Sequence, residues 1–338
     1  MPRAERRAEV QEVARRAGAT AAVLRRPATY AWYTGGADNR VDHSDAVGVA
    51  AIVVGEEGDW ILANAIEADR IREEQSSGLE VVAHPWTDDP GPALDRLVGT
   101  GPRASDAAAE GEVDAAAELA ALRLVLDAEA QTLYREVGRD ARAAMDAAAS
   151  QVRETMSEQD AAAVLADAAR RRRLFAPVTL VAGARRLVTH RHPVPTAERL
   201  GARAMLVLCG ERGGLVASLT RIVHFAEPDA EWHRRQDACE TILSRMRDEA
   251  TRPGRTMAEA FADCVRFYGE AGFPDEWRFH HQGGMAGYRP REVVAMPSAT
   301  TLIEPGQAFA WNPSITGAKA EETFLLLDDG PEVVTGAS

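Results

Sequence analysis

Lysine is all but missing from this chain. Lys319 is the single lysine among 39 basic residues, the rest being arginine, and the surplus of Arg and Ala reads as coding bias. With 52 acidic residues the net charge is −13, which excludes a nucleic-acid binder that relies on phosphate contacts. Cysteine is scarce as well. Cys209, Cys239 and Cys264 are odd in number, far apart and form no CxxC pair, so neither a disulfide scaffold nor a cysteine-rich zinc site is expected. No apolar run approaches the roughly 18–20 residues that cross a bilayer. The first thirty residues lack the apolar core of a signal peptide. There is no internal repeat, no GxxxxGK[ST] phosphate loop, no GxSxG elbow and no HExxH helix. These absences lead to the expectation of a cytoplasmic protein that binds neither membrane nor nucleic acid.

What is present is ordinary globular material. Its 338 residues are 46% hydrophobic and 27% charged, enough for two domains or one large one. Residues 4–17 read as an Arg/Glu-rich helix, and TAAVLRRPATYAWYTG as two strands broken by Pro27. Residues 46–64 read as a hairpin around Gly-Glu-Glu-Gly-Asp, AIEADRIREEQSS as a charged helix stopped by Gly78, and LEVVAHPW as a strand. GPRASDAAAEGE reads as a linker, giving domains of 1–112 and 113–338. Leucines and valines at helical spacing then predict one long helix over about 114–150. Ser157 and Asp160 open another helix, which ends at Arg170 to Arg173. Strands follow in VTLVAG, ARAMLVLCG and GLVASLTRIVHF, then helices over about 229–249 and 256–271, then strands in RFHHQGG, QAFAWNPSI and AEETFLLLD. The fold class is α+β, a small α/β unit followed by a larger domain with helices over a mostly antiparallel sheet.

Three polar clusters interrupt the strands of the larger domain. Thr189-His190-Arg191-His192-Pro193 places histidines after an apolar strand, where an imidazole can trade protons at neutral pH. Phe279-His280-His281-Gln282-Gly283-Gly284 pairs two histidines that a strand would point to opposite faces. Trp311-Asn312-Pro313 is followed by Lys319-Ala320-Glu321-Glu322, where alternation sets Lys319 and Glu321 on one face and Glu322 on the other.

Taken in order, these clusters resemble the pita-bread superfamily of creatinase, prolidase, aminopeptidase P and methionine aminopeptidase. LVTHRHPVP is similar to the family's strand ending in a histidine, and VLCGERGGLVASLTRIV to its Asp-x-Gly … Asp-x-Thr-Arg strand pair. FHHQGGMAGY is similar to its Gly-His-x-x-Gly segment, and EPGQAFAWNPSITGAKAEETFLL to its Pro-Gly … Glu-Asp-Thr segment. The resemblance covers nearly the whole chain. It implies a creatinase-like amino-terminal domain and a pita-bread carboxy-terminal domain with a curved antiparallel sheet.

The family's dinuclear metal site uses two aspartates, a histidine and two glutamates. Val207, Ser218, Gly284 and Asn312 stand at four of those places, and Glu321 alone matches a ligand. One carboxylate cannot hold two divalent cations, so no metal and no other cofactor is expected. The resemblance further implies His190 as the proton-shuttling histidine, which creatinase uses without metal, with His280 and Glu321 as its catalytic companions. Substrate contacts are assigned to Ser218, Arg221, Asn312, His281, Tyr288, Lys319 and Glu322, the glutamates for a cationic group. In the family the amino-terminal domain reaches a partner's site, so Asp38 and Arg40 are added, with a homodimer expected. The leading expectation is a metal-independent hydrolase that cleaves a C–N bond of a small polar substrate by histidine acid/base chemistry. The alternatives are a non-catalytic member that binds a small ligand or peptide and, third, a Xaa-Pro-type metalloaminopeptidase.

Overall fold

The computed structural model describes residues 1–336, and contacts divide the chain into two units, Met1–Glu129 and Ala130–Ser338. In the first unit, helix α1 (Arg3–Arg16) precedes strand β1 (Ala21–Leu24), which is buried throughout. Pro27 then opens helix α2 (Pro27–Thr34) where the composition predicts a strand. Proline's fixed φ suits a first helical turn, and Tyr30, Trp32 and Tyr33 bury their rings from helical positions. The expected hairpin is present as antiparallel β2 (Ala50–Val54) and β3 (Asp59–Asn64). Helix α3 (Ala68–Arg70) continues as a wider turn to Gln75 and leads into β4 (Glu80–His84), parallel to β3.

Helix α4 (Gly91–Val98), β5 (Arg103–Ser105) and β6 (Val113–Asp114) complete a mixed sheet in the order β4-β3-β2-β1-β5-β6. Strands β5 and β6 lie in and just after the stretch that reads as a linker. The pairing is fixed by side chains that composition does not reveal. The Ser105 hydroxyl donates to the Val23 carbonyl at 2.8 Å, and the buried Asp106 carboxylate takes the backbone N–H groups of Arg25 and Arg26 at 2.7 and 3.1 Å.

The long helix expected over 114–150 is two helices, α5 (Ala116–Ala121) and α6 (Ala128–Gln151). Tertiary bonds claim the residues between them. Buried Arg123 donates to the Thr29 hydroxyl at 3.2 Å, and Asp127 takes Arg6 at 2.6 Å and the terminal ammonium of Met1 at 2.7 Å. Helical propensity differs by only tenths of a kcal/mol per residue, so a few such bonds override it.

The second unit begins on α6, whose buried face carries Tyr134, Val137, Ala141, Met145 and Ala148. Gly138 lets this helix lie against the chain end, since a Cβ there would fall 2.3 Å from the Val334 carbonyl oxygen. Helix α7 (Glu158–Arg171) starts at the predicted Ser157/Asp160 capping box. Strand β7 (Phe175–Gly183), helix α8 (Ala184–Leu187), β8 (Arg203–Arg212) and β9 (Leu215–His224) follow, the strands forming an antiparallel meander. Helices α9 (Ala230–Arg245) and α10 (Met257–Glu270) come next, α10 opening on the predicted Thr256/Glu259 box.

Five further strands make a second antiparallel sheet in the order β11-β10-β12-β15-β16. They are β10 (Gly283–Ala286), β11 (Val293–Val294), β12 (Ala308–Trp311), β15 (Glu322–Leu327) and β16 (Gly330–Val333). A short ribbon of β13 (Ser314–Ile315) and β14 (Ala318–Lys319) lies between β12 and β15 in the chain. RFHHQGG is a 3₁₀ turn over Glu276–Phe279 before β10, and QAFAWNPSI breaks at Asn312-Pro313, where proline cannot donate to a ladder. Helix α7 packs on β7 and β8, and α9 packs on β13, β14 and α10. Among the described residues no helix is long and apolar enough to cross a membrane.

Candidate active site

The register of the meander builds one wall of a cavity. Leu180 pairs with Val207 and Val207 with Thr220, while Val178 pairs with Cys209 and Cys209 with Ser218. Directly paired residues share a face of an antiparallel sheet. That face therefore presents an apolar strip of Val178, Leu180, Val207 and Cys209, edged by the hydroxyls of Ser218 and Thr220. Opposite it, His192, His281, Pro290, Arg291, Asn312, Lys319 and Glu321 close a cavity of about 290 Å³.

Glu321 sits at its base, with its side chain 3% exposed. Its carboxylate takes the Thr220 hydroxyl at 2.6 Å, the Lys319 ammonium at 2.9 Å and the Arg291 guanidinium at 3.0 Å. Burial alone would raise this carboxyl's pKa. The Lys319 and Arg291 charges and the bond from Thr220 outweigh it and hold Glu321 well below the ordinary carboxylate range. Two cations facing one carboxylate leave the base of the cavity with one surplus positive charge. Asn312, 3% exposed, keeps its Oδ1 without a partner among the described residues.

Three histidines form the opposite corner. The Nε2 atoms of His192 and His280 lie 2.9 Å apart, and the ring centres of His281 lie 4.7 Å from His280 and 5.5 Å from His192. All three imidazoles are held below their ordinary pKa of 6.5. Desolvation is the first cause in each, reinforced by the Lys319 charge at His192 and His280 and by Arg291 at His281, which falls to about 4. At neutral pH the cluster is therefore uncharged, able to accept protons but not to compensate the cations below it.

The structure sorts the expected site residues. Glu321, Lys319, Asn312, His280, His281 and Ser218 come together; both histidines of the pair face the cluster because they precede β10 instead of alternating along it. His190 is placed elsewhere. Its ring is exposed and bonded to the Thr189 hydroxyl at 2.7 Å, and the residue that reaches the cavity is His192. The two-residue displacement has a local cause. Helix α8 ends the strand early, and residues 189–193 form a loop pinned by Arg191, which bonds Glu276, Ser314 and Thr316. Strand alternation does not apply to a loop.

Arg221 pairs with Asp146, not Glu321, and lines a neighbouring cleft with Arg142, His224 and Trp232. Glu322 faces that cleft too and bonds Arg247 at 2.7 Å. Neither glutamate is therefore free to bind a substrate cation. Tyr288 is buried but is not among the residues lining the cavity. Asp38 and Arg40 pair with each other in the first unit at 2.8 Å. Arg291 escaped the sequence reading; the only signal was a cation two residues after Arg289 in a loop closing the glycine-rich segment.

The positions that match the family's ligands do not fit a pair of metal ions. Val207 has no donor atom, and Ser218 is bonded to Cys209 at 3.3 Å. A Cβ at Gly284, whose φ is 151°, would lie 2.0 Å from the Val293 carbonyl oxygen, so no ligand side chain can stand there. Asn312 is neutral, and Glu321 is already closed by two fixed cations.

Sheets, helices and this cavity together define a pita-bread protein of the creatinase, prolidase and aminopeptidase P class. The profile of metallopeptidase family M24 matches residues 132–328, and the chain belongs to that family. The structure is similar to that of a Xaa-Pro dipeptidase from Bacillus anthracis (TM-score 0.82, 17% identity, covering 100% of this chain and 98% of that one). It is similar also to the prolidase of Pyrococcus horikoshii OT3 (0.84, 15%, covering 99% of each). The N-terminal domain of FACT complex subunit SPT16 from Eremothecium gossypii shares the fold as well (0.74, 12%, covering 99% and 96%). None of the curated proteins matches the chain.

Proposed function

We propose that this chain is a metal-independent hydrolase that cleaves a C–N bond of a small polar substrate in the cavity beneath His192 and His281. The observation that carries the reading is the placement of Lys319 and Arg291 on Glu321, at 2.9 and 3.0 Å, where the family's ions would require carboxylates. Fixed cations in a dry site can stabilise an oxyanion as it develops, which is one of the tasks a metal performs. His192, neutral and reachable from solvent, takes the proton of an attacking water and returns it to the leaving nitrogen, in the role first assigned to His190. His280 holds His192 through the 2.9 Å ring contact. Val178, Leu180 and Val207 receive the apolar part of the substrate.

The test is a panel of small amides, guanidino acids and Xaa-Pro dipeptides, assayed with and without EDTA. Turnover that persists in EDTA and falls about 100-fold or more in His192→Ala, with His190→Ala near wild type, is the expected result. A folded protein that binds members of the panel and turns over none would favour the non-catalytic alternative.

A further inference from the structure

The three histidines make a second kind of site in the same corner. Their ligand atoms all lie within 4.8 Å of one another. They come from two short segments only, the loop after α8 and the residues before β10. A zinc ion with bonds of about 2.0–2.1 Å to three imidazoles sets its ligand nitrogens about 3.3–3.4 Å apart. The His192–His280 separation of 2.9 Å is slightly inside that value, and no ligand-atom separation in the cluster exceeds 4.8 Å. The buried Nδ1 of His280 has no partner among the described residues, so no bond on that side of the ring competes with an ion. The backbone beneath it is fixed, because Gln282 donates to the His280 carbonyl at 2.5 Å and accepts from the Tyr268 hydroxyl at 2.7 Å. His192 and His281 are exposed, so an ion in solution can reach the cluster.

We infer that His192, His280 and His281 form a site for a single borderline transition-metal ion, with Zn²⁺ as the type. Three neutral nitrogen donors suit zinc, nickel or copper and not magnesium or calcium, which need oxygen. The site is distinct from the carboxylate position of the family, which Lys319 and Arg291 block. It rests on the proposed function for its consequence: an ion on these nitrogens occupies the lone pairs that would carry protons, so zinc inhibits turnover. The nearby charges are Lys319, Arg291 and Glu321, with one positive charge in excess. They favour an anionic fourth ligand, such as hydroxide or chloride, over water.

Zn²⁺ binding to the whole protein is measured by competition with a chromophoric chelator, a readout that needs no substrate. One equivalent is expected, weakened about 10-fold or more in His192→Ala and in His281→Ala and unchanged in His190→Ala. No binding by the wild type, or binding that survives in both His192→Ala and His281→Ala, overturns the site and leaves the hydrolase reading standing. Once a substrate is found, turnover that falls as zinc binds supports the inference in full. Turnover that appears only when zinc binds supports the site and overturns the metal-independent reading.

Discussion

Replacing Lys319 with methionine keeps the length of the side chain and removes its charge, isolating the ion pair at the base of the cavity. Both side chains are nearly inaccessible, at 4% and 3%, so solvent cannot take over the role of the ammonium. Breaking a buried pair by removing one partner costs about 3–5 kcal/mol, mostly because a charge is left uncompensated. Here Arg291 still faces Glu321 at 3.0 Å, and the Thr220 hydroxyl still donates at 2.6 Å. The loss should therefore lie near or below the lower end, about 2–3 kcal/mol. At about 2–4 °C per kcal/mol for a unit of this size, the melting temperature should fall by roughly 5–10 °C.

The pH dependence gives the sign. Glu321 has a depressed pKa in the folded protein, so its stabilising contribution is complete above the unfolded value and is lost as pH falls below about 4.5. Lys319→Met moves that pKa back up, so the variant loses less on acidification and the gap to wild type narrows. The double variant Lys319→Met/Glu321→Gln keeps an acceptor for Thr220 but leaves the buried Arg291 guanidinium without its carboxylate. It should lose at least about 1 kcal/mol more than the single variant at pH 7.5. Denaturant melts at pH 7.5 and pH 3.5 measure all three proteins. A single variant within about 0.5 kcal/mol of wild type, or a double variant as stable as the single, would refute the ion-pair account.

Three other substitutions or conditions test separate parts of the structure. Gly284→Ala should cost at least about 3 kcal/mol by chemical denaturation, since its Cβ would meet the Val293 carbonyl at 2.0 Å; a mild effect would show that the strand can shift. Tyr268→Phe removes a hydroxyl that donates to Gln282 and accepts from the Ser314 N–H, both at 2.7 Å, and should cost about 1–3 kcal/mol. Turnover of any substrate found should stay level from pH 8 to below 6.5, because desolvation keeps His192 neutral past its ordinary titration, and then fall toward acid; a loss beginning above pH 7 would remove His192 from the role of base.

Much of this architecture is legible in the residues, and the errors fall where local signals do not decide the structure. Capping boxes at Ser157 and Thr256 and the hairpin over 46–64 are local signals, and each was found where it was expected. The break between α5 and α6 was not legible, because it depends on Arg123 and Asp127 meeting residues roughly a hundred positions away. The helix after Pro27 was missed because three aromatic residues suit either a strand or a buried helix. In the cavity, the residue types at 218, 312, 319 and 321 were found by matching segments in order. The segment at 189–193 went astray because it was read as a strand end when it is a loop. Arg291 had no motif to announce it. Only the closed fold shows that its guanidinium, and not that of Arg221, meets Glu321.

The close approach of the neighbouring strand to Gly284 also constrains what this cavity can become. An aspartate introduced at Val207 or Ser218 would face Lys319 and Arg291, already in place, and would form a salt link before any ion arrived. A histidine at Gly284 would collide with the neighbouring strand unless β11 were rerouted as well. Each of these single steps toward a paired-ion centre thus meets either a cation that captures it or a backbone that rejects it. The surrounding change must come first, and by itself it brings no catalytic gain. For protein engineering, the cavity works as a ratchet: its present charge pattern can be tuned by one residue at a time, whereas a return to a two-ion site demands several coordinated replacements.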